Sequence, residues 1–308
     1  MRSEIRKDYI QDKYVIIAPR RGKRPHDIFQ TKKPDSLRVP QKPCPFCPNQ
    51  LKNVAASLTI GGGKNWKIKV IPNIFPAVSL DNPKAYGMQE VVVETPDPQE
   101  QLEQLPIKHI ALLLSAYQKR TREIMKNKNI EYILIFKNNG GKAGASLQHA
   151  HSQIFATKFL PPHLLNKSQK TQEYKLQHGT CVYCDVIKKE ERGPRLVYAD
   201  AHVVAFCPYA SIHNYEVWVM PRLHRDNIML LNDKEKDSFA KILKKILHKI
   251  GDMGLPYNFY FHQVVHDEDQ HLYMKITPRG SVWAGVEIGS GLIINPIEPS
   301  SAAKYYKS

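Results

Sequence analysis

Two histidines and a glutamine occupy alternating positions in the segment GASLQHAHSQI, residues 144–154. Side chains two residues apart on a β-strand lie on the same face, so His149, His151 and Gln153 would share one face of a strand. A glycine-rich turn, GGKAG from Gly140, comes directly before them and offers free backbone N–H groups. Imidazole and amide groups beside such a turn are suited to bind a phosphate group.

The bulk composition is that of a globular protein with an excess of positive charge. The chain has 308 residues, of which 42% are hydrophobic and 24% charged, and its formal net charge is +16. This length allows one large domain or two ordinary ones. No apolar run approaches the roughly 18 residues that a membrane helix needs. The N-terminus MRSEIRKDYI has no apolar signal core, so we expect a cytoplasmic protein without membrane contact.

The positive charge favours anionic partners such as nucleotides, sugar phosphates or nucleic acid. A general basic bias of the source proteome would give the same charge without any partner. The lysines and arginines are scattered along the chain rather than gathered in one arm. No RNA-binding signature with interleaved aromatic residues is present, so we expect no nucleic-acid partner.

The order of motifs in the first half of the chain is repeated in the second half. The repeated features are a CxxC pair, a valine-rich strand, an amphipathic helix and two further strands. They lie at 44–47 and 181–184, at 88–98 and 214–224, at 107–125 and 233–250, and at 130–156 and 257–279. We predict an α+β fold of two duplicated domains, 1–160 and 181–308, joined by a polar linker at 161–180, each an antiparallel sheet with a long helix.

The segment KNNGGKAGASLQHAHSQI resembles the signature of the galactose-1-phosphate uridylyltransferases, which belong to the histidine-triad superfamily. Further blocks match the family in the same order: KRPHD, CPFCPNQ, VIPNIFP, EVVVETP, EVWVMPRLH and GVEIGSGLIINPIEP. The resemblance covers nearly the whole chain. It implies two histidine-triad-like domains in one chain and a homodimer.

The resemblance implies that His151 attacks the α-phosphorus of a UDP-sugar and carries UMP. A backbone carbonyl would hold its other ring nitrogen, and Gln153 would donate a hydrogen bond to a phosphate oxygen. This chemistry is sound, because a neutral imidazole is a competent nucleophile near pH 7 and a covalent relay divides the transfer into two displacements. Histidine-triad hydrolases carry a histidine at the third position. Glutamine can neither donate a proton as an acid nor assist water, so we expect a transferase.

The resemblance also implies seven substrate contacts. They are Asn138 and Ser146 at a phosphate, Asn73 and Phe75 near the nucleotide, Arg21 and Arg24 as phosphate-neutralising groups, and Glu287 as acceptor of hexose hydroxyl hydrogen bonds. The arginines would act partly across a dimer interface, and guanidinium groups suit that work. A solvated surface charge is the alternative for each arginine, and a surface ion pair is the alternative for the glutamate.

The two CxxC pairs are typical of metal or redox sites in a reducing compartment. The resemblance implies a structural zinc site in each half, with four Cys or His ligands. In the first half Cys44, Cys47 and His149 are present, but Pro98 occupies the place of the fourth ligand. Three ligands completed by water or by Asp97 could still hold zinc.

The second half contains a complete set of ligands: Cys181, Cys184, His224 and His271. We expect them to form a closed structural zinc site. Two free thiols and two unrelated histidines are the alternative. Some family members instead carry iron in this half, held by one Glu and three His. Here Tyr273 and Lys167 replace two of those ligands, while His262 and His271 keep the other two, so we expect no iron.

We therefore predict a UDP-glucose–hexose-1-phosphate (galactose-1-phosphate) uridylyltransferase of galactose metabolism, with structural zinc. An ADP-sugar phosphorylase, or a related nucleotidyltransferase using the same histidine relay, is the first alternative. A non-catalytic protein that binds nucleotides or nucleic acid is the second alternative. It would show salt-sensitive oligonucleotide binding and no turnover, but pure binding would not need His151.

Overall fold

The computed structural model describes residues 2–23, 43–62 and 65–308, which form a mixed α+β structure. The strands are β1 Glu4–Lys7, β2 Tyr14–Ile17, β3 Leu58–Gly62, β4 Asn65–Pro72, β5 Gly87–Val93, β6 Tyr132–Asn139, β7 His151–Thr157, β8 Leu196–Ala199, β9 Val203–Phe206, β10 Val217–Pro221, β11 Tyr257–His262, β12 Tyr273–Pro278 and β13 Ile293–Asn295. The helices are α1 Ile107–Ile124, α2 Pro162–His178, α3 Val182–Glu190, α4 Asp233–Asp252, α5 Gly285–Ser290 and α6 Pro299–Lys307.

One sheet runs through both halves of the chain. Its strand order is β3-β4-β5-β7-β6-β11-β12-β10-β9-β8, and its neighbouring strands pair antiparallel. The order mirrors itself about the centre, so β7 corresponds to β12 and β5 to β10. The predicted α+β class is confirmed. The repeat in the sequence does not predict that the two half-sheets join through β6 and β11, because such pairing depends on long-range register.

The two long helices pack together on one face of this sheet. Their buried side chains follow the predicted apolar stripes, including Leu113 and Tyr117 of α1 and Phe239 and Leu243 of α4. The start of α4 is fixed by a capping box, in which the Asn232 side chain accepts from the backbone N–H three residues later. No helix among the described residues is both long and apolar enough to span a membrane.

The opposite face is covered unequally in the two halves. In the second half, α3 and the N-terminal segment bury an apolar cluster that includes Ile10, Tyr183, Trp218 and Tyr273. In the first half, a smaller cluster around Phe46 lies on this face. Among the described residues, this face is therefore less covered at β7 than at β12.

The polar segment at 161–180 forms helix α2 over most of its length. Pro162 begins the helix and Gly179, with a φ of 70°, ends it. Two of its side chains, Leu164 and Thr171, are buried. The division of the chain at this segment stays a prediction.

A small second sheet ties the two ends of the chain together. β1 pairs antiparallel with β2, and β13 runs parallel to β2 from Ile293↔Val15 to Asn295↔Ile17. The turn that contains Arg21 lies next to this sheet, because the backbone N–H of Ala18 just before it donates to the carbonyl of Asn295 at 2.8 Å. The helix α5 contacts β13 of the same sheet. The second of the two predicted arginines, Arg24, lies outside the described residues.

Candidate active site and metal sites

His151 is the first residue of β7, and its ring is held in one orientation. Its Nδ1 lies 2.8 Å from the carbonyl oxygen of His149, so Nδ1 carries the proton and donates it. Nε2 is then unprotonated, and its lone pair can attack an electrophile. Burial of the imidazole lowers the pKa of His151, which keeps the ring neutral near pH 7.

The amide of Gln153 is oriented by a neighbouring side chain. Gln89 Nε2 donates to Gln153 Oε1 at 2.8 Å, and Asn73 Nδ2 lies 3.5 Å from the same oxygen. Because this oxygen is occupied, the Nε2 of Gln153 remains to donate hydrogen bonds to a ligand. Gln89 Oε1 in turn accepts from the backbone N–H of Ala77 at 3.0 Å, which ties the amide to the loop after β4.

The loop after β4 presents an apolar surface beside this amide. Asn73 Oδ1 accepts from the backbone N–H of Phe75 at 2.9 Å, which fixes the turn. The Phe75 side chain is 85% exposed and that of Ile74 is 75% exposed. An exposed aromatic ring is a surface on which a nucleotide base can stack.

The glycine-rich turn between β6 and β7 requires glycine at two positions. Gly140 has a φ of 84° and Gly144 a φ of 87°, both in the left-handed region. A Cβ at Gly140 would lie 2.9 Å from the Cβ of Pro256, so a side chain there would also collide with the second half of the chain. Residues 141–143 between them form a single 3-10 turn.

Hydrogen bonds from the second half of the chain hold the glycine-rich turn in place. Asn258 of β11 donates through Nδ2 to Asn138 Oδ1 at 2.8 Å and to the carbonyl of Ala143 at 2.7 Å. The amide nitrogen of Asn138 is thereby left to donate to a ligand. Ser146 follows the turn and is exposed.

Arg21 and Glu287 form a group of their own. Glu287 Oε2 accepts the backbone N–H of Ala284 at 2.9 Å and so caps α5. These backbone hydrogen bonds lower the pKa of Glu287, and the nearby charge of Arg21 adds to the effect. Neither side chain has a contact with His151 among those described.

Three metal-ligand groups meet beside His151. Cys44, Cys47 and His149 place their ligand atoms within 4.8 Å of one another. The Sγ of Cys44 lies 3.4 Å from Nδ1 of His149, close to the roughly 3.5 Å that a tetrahedral zinc imposes between S and N ligands. His149 Nε2 donates to the carbonyl of Thr95 at 2.8 Å, which leaves Nδ1 unprotonated toward the thiols.

No fourth ligand joins this group among the residues that the structure describes. Asp97 is not among the ligand atoms that meet there, and Pro98 has no ligating atom. One Asp97 carboxylate oxygen accepts the backbone N–H of Gln99 at 2.8 Å, which holds the side chain in its own turn. The residues present fit a metal with one open position.

Four ligand groups meet in the second half: Cys181, Cys184, His224 and His271. The Sγ of Cys184 lies 3.5 Å from Nδ1 of His224 and 3.7 Å from Nδ1 of His271. The Nε2 atoms of the two histidines donate to the backbone carbonyls of Glu268 and Pro221 at 2.8 Å and 3.0 Å. Both Nδ1 atoms are therefore unprotonated, and the set fits a closed tetrahedral site.

A lysine and a tyrosine occupy the places where some family members hold iron. Lys167 Nζ donates to the hydroxyl of Tyr273 at 2.6 Å. The ring of His262 stacks on Tyr273 with centroids 4.6 Å apart. Among the described residues no metal-ligand cluster forms at this place.

Three residues of the site were missed by the sequence analysis: Gln89, Glu94 and Lys137. Gln89 orients Gln153 as described above. Lys137 Nζ lies 2.7 Å from Glu94 Oε2 and 3.0 Å from the carbonyl oxygen of His151. All three belong to strands or strand ends next to β7, so only the pairing register of the sheet could have identified them.

Comparisons with known proteins match both halves of the chain. Residues 74–161 match the family model "Galactose-1-phosphate uridyl transferase, N-terminal domain", and residues 167–277 match its C-terminal domain. ADP-glucose phosphorylase from Arabidopsis thaliana is 32% identical over 98% of this chain and 91% of its own. Galactose-1-phosphate uridylyltransferase from Thermotoga maritima is 29% identical over 98% of this chain and 96% of its own.

Solved structures resemble the whole chain. A crystal structure of the Arabidopsis thaliana ADP-glucose phosphorylase with bound ADP-glucose superimposes with a TM-score of 0.87 and 31% identity, covering 99% of both chains. A structure of a uridylyltransferase gives a TM-score of 0.77 and 29% identity, covering 99% of this chain and 97% of the other. The similarity therefore includes the order and packing of all the elements around His151.

Proposed function

We propose a covalent nucleotidyl transfer for this chain, which belongs to the galactose-1-phosphate uridylyltransferase family. The family makes it a transferase enzyme, as the sequence predicts. The observation that carries the proposed mechanism is the hydrogen bond from His151 Nδ1 to the carbonyl of His149 at 2.8 Å. This bond fixes the tautomer and leaves the Nε2 lone pair as the nucleophile.

The reaction consists of two displacements at one phosphorus atom. In the first, His151 Nε2 forms a bond to the α-phosphorus of a sugar nucleotide, and the sugar phosphate leaves with the electron pair of the broken P–O bond. In the second, a phosphate oxygen of the acceptor forms a bond to the same phosphorus, and the P–N bond breaks. Gln153 Nε2 donates to a phosphate oxygen in both steps, as does Asn138 from the glycine-rich turn.

The leading substrates are a UDP-hexose and a hexose 1-phosphate. UDP-glucose would uridylylate His151 and release glucose 1-phosphate, and galactose 1-phosphate would then take the UMP as UDP-galactose. Both family-model matches and the Thermotoga maritima relative support this pair. The exposed Phe75 ring would stack on the base, and its loop is joined to Gln153 through Asn73.

A specific observation favours a second candidate, an ADP-sugar phosphorylase. The Arabidopsis thaliana ADP-glucose phosphorylase is 32% identical, and its structure has a TM-score of 0.87, against 0.77 for the uridylyltransferase. In this reaction His151 would carry AMP, and inorganic phosphate would replace the sugar phosphate as acceptor. The relay through His151 and Gln153 is the same in both.

The test is a product analysis with two donors and two acceptors. The protein is incubated with UDP-glucose or ADP-glucose, each with galactose 1-phosphate or phosphate, beside a His151→Ala control. UDP-galactose from the first pair supports the uridylyltransferase, and ADP from ADP-glucose and phosphate supports the phosphorylase. The absence of any new nucleotide from either donor contradicts nucleotidyl transfer.

Zinc is the proposed metal for both ligand groups. Thiolate and imidazole nitrogen ligands with tetrahedral spacing suit zinc. When bound, it would join the CxxC turns to the strands that carry His149 and His271. We propose a structural role for zinc in both groups, since Nε2 of His151 supplies the nucleophile without a metal.

The proposed assembly is a homodimer. On and before α5, Val282 is 91% exposed, Trp283 45% and Ile288 75%. A patch of large exposed apolar side chains marks an interaction surface. The separate group of Arg21 and Glu287 next to this patch would then contribute to the active site of the partner subunit. Light scattering on a sizing column should give twice the chain mass. We propose a cytoplasmic location, since CxxC pairs that serve as metal ligands are typical of a reducing compartment.

A further inference from the structure

The sheet is interrupted next to the nucleophile. β6 and β7 pair from Tyr132↔Thr157 to Phe136↔Gln153, and there the pairing stops. Beyond that point β6 continues on β11, with Asn139 opposite Tyr257. The two strands therefore separate at the residues where His151 enters the sheet.

The carbonyl of His151 points into this opening. On the other side of β7, the backbone N–H of Glu94 donates to the carbonyl of Ala150 at 3.1 Å, so Ala150 directs its backbone groups toward β5. Successive residues of a strand direct these groups to opposite sides. The carbonyl of His151 thus faces β6, beyond the end of the ladder, where no backbone N–H of β6 pairs with it.

A buried ammonium group takes the place of the missing ladder bond. Lys137 of β6 extends into the opening, and its Nζ lies 3.0 Å from the carbonyl oxygen of His151. The same Nζ lies 2.7 Å from Glu94 Oε2, and the two side chains are 1% and 0% exposed. Among the described residues, Lys137 is the hydrogen-bond partner of this carboxylate, and the other oxygen has none.

Glu94 is itself held at a fixed position. Its carbonyl accepts from Nε2 of His109 on α1 at 2.7 Å, and its N–H bonds Ala150 as described. The ion pair therefore connects the nucleophile's main chain to a helix and a neighbouring strand. A displacement of Lys137 would move the residue whose ring must meet the phosphorus.

A similar ion pair nearby lacks this connection. Arg120 of α1 and Glu90 of β5 form two hydrogen bonds of 2.9 Å, and their side chains are 11% and 3% exposed. This pair bonds no atom of His151 or Gln153 among the described contacts. Both pairs are buried and join opposite charges, and Glu90 lies on β5 while Glu94 directly follows it. Removing each pair in turn therefore distinguishes a general stabilising role from a specific one.

We propose that Lys137 is a positioning residue for the nucleophile. Its ammonium group donates to the His151 carbonyl, which has no backbone partner on β6, and so holds the His151 main chain in place. The direction from which Nε2 approaches the phosphorus is thereby fixed. The inference rests on the proposed transfer through His151. A misplacement of about 1 Å at a reacting atom can lower a rate about 100-fold. The effect should appear in the rate of transfer rather than in the binding of the sugar nucleotide.

The test compares two double variants that each remove both charges of a buried pair. Replacing both members avoids leaving one charge unpaired and is often neutral for stability. The variant Glu94→Gln with Lys137→Met removes the bond to His151, and the variant Glu90→Gln with Arg120→Met is the control. The single variant Lys137→Arg keeps a donor with a positive charge and should recover part of the rate.

The main readout is the single-turnover rate at which the sugar nucleotide modifies the protein, together with its dissociation constant and Tm. We expect the Glu94/Lys137 variant to transfer about 10- to 100-fold more slowly with an unchanged dissociation constant. The Glu90/Arg120 control should keep the wild-type rate, even at a lower Tm. Equal rates in the wild type and the Glu94/Lys137 variant would overturn the inference, as would an equal loss in both double variants.

A second measurement does not depend on the transfer reaction. Hydrogen exchange of the backbone amides in 149–155 should be faster in the Glu94/Lys137 variant than in the wild type and the control. Unchanged exchange in that segment would overturn the inference. If the wild-type protein forms no covalent adduct, the proposed function fails, while the exchange result still decides whether Lys137 holds the His151 main chain.

Discussion

The two halves of the molecule have the same arrangement of strands and differ in the side chains that two corresponding strands, β7 and β12, carry. β7 begins at His151 and β12 begins at Tyr273, and the two strands occupy mirrored places in the sheet. The match holds in register, because Val91 pairs with Gln153 on β7 and Trp218 pairs with Lys275 on β12. The second half therefore presents a tyrosine where the first half presents His151, the proposed nucleophile.

The surroundings of these two positions also differ. The Tyr273 hydroxyl accepts from Lys167, and its ring stacks on Trp218 with centroids 4.4 Å apart. Lys275, the counterpart of Gln153, forms a 2.7 Å ion pair with Glu216. The Tyr273 hydroxyl and the Lys275 ammonium thus both have side-chain partners, whereas Nε2 of His151 has no hydrogen-bond partner among the described residues. The comparison teaches that the position on the strand determines where a side chain is held. Whether that side chain can react depends on its residue type and on whether its face of the sheet is open.

For the metal-ligand groups, the second half is the more complete of the two. The second half combines four ligand groups, and the first half combines three. The closed set suits a site that stabilises the fold, and it lies in the half without the proposed nucleophile. We infer that stability and chemistry are distributed between the halves.

The largest expected effect is a difference in transfer rate between variants of His151 and Tyr273, the first residues of β7 and β12. His151→Ala should lower the transfer rate at least ~1,000-fold, because it removes the nucleophile. Tyr273→Phe should keep the wild-type rate, because it deletes a hydroxyl that bonds Lys167 and touches no group of the site. Steady-state rates with the preferred donor and acceptor check both. A comparable loss of transfer rate in Tyr273→Phe would contradict the assignment of the chemistry to the first half alone.

The next effect concerns the metal sites. Cys181→Ser should lower Tm by roughly 10 °C, since a lost closed zinc site costs several kcal/mol and each kcal/mol moves Tm by about 2–4 °C. Cys44→Ser should lower it less, because its site has three ligand groups. Thermal melts beside metal analysis of each purified variant provide the measurement. A larger loss in Cys44→Ser would reverse the assignment of stability to the second half.

A third prediction concerns the group beside the nucleophile. Gln153→His should speed hydrolysis of the nucleotidyl-protein about 10-fold or more, because an imidazole can assist water and an amide cannot. The decay of the isolated adduct in buffer without acceptor measures this rate. Gln153→Asn is the control, since it keeps an amide. Equal decay in all three proteins would show that residue 153 does not protect the intermediate.

The last prediction is a pH dependence of the stability that arises in the second half. Burial lowers the pKa of Lys167 from 10.5 to about 7. Between these values the unfolded chain binds a proton that the folded chain has released, so the free energy of unfolding rises with pH in this window. In Lys167→Met this contribution is absent, so its stability relative to the wild type should fall as pH rises from 7 to 10. Denaturant titrations at several pH values check the trend, and parallel curves would contradict it.

The sequence predicted the parts of the molecule that depend on residue type and local spacing. The helical stripes predicted α1 and α4 to within about two residues, and the HxHxQ and CxxC spacings marked the groups that the structure brings together. Helix α2 was missed because its sequence is polar and carries a weak apolar stripe. Gln89, Glu94 and Lys137 were missed because their roles arise from strand pairing between distant segments, which no local pattern encodes.

One measurement tests the central claim most directly: intact-mass analysis after incubation with UDP-glucose or ADP-glucose, followed by peptide mapping. We predict a mass gain of one UMP or one AMP unit, located on His151, absent in His151→Ala and removed by the matching phosphate acceptor. Tyr273→Phe should gain the same mass. An adduct on any other residue, or no adduct with either donor, would contradict the covalent relay through His151.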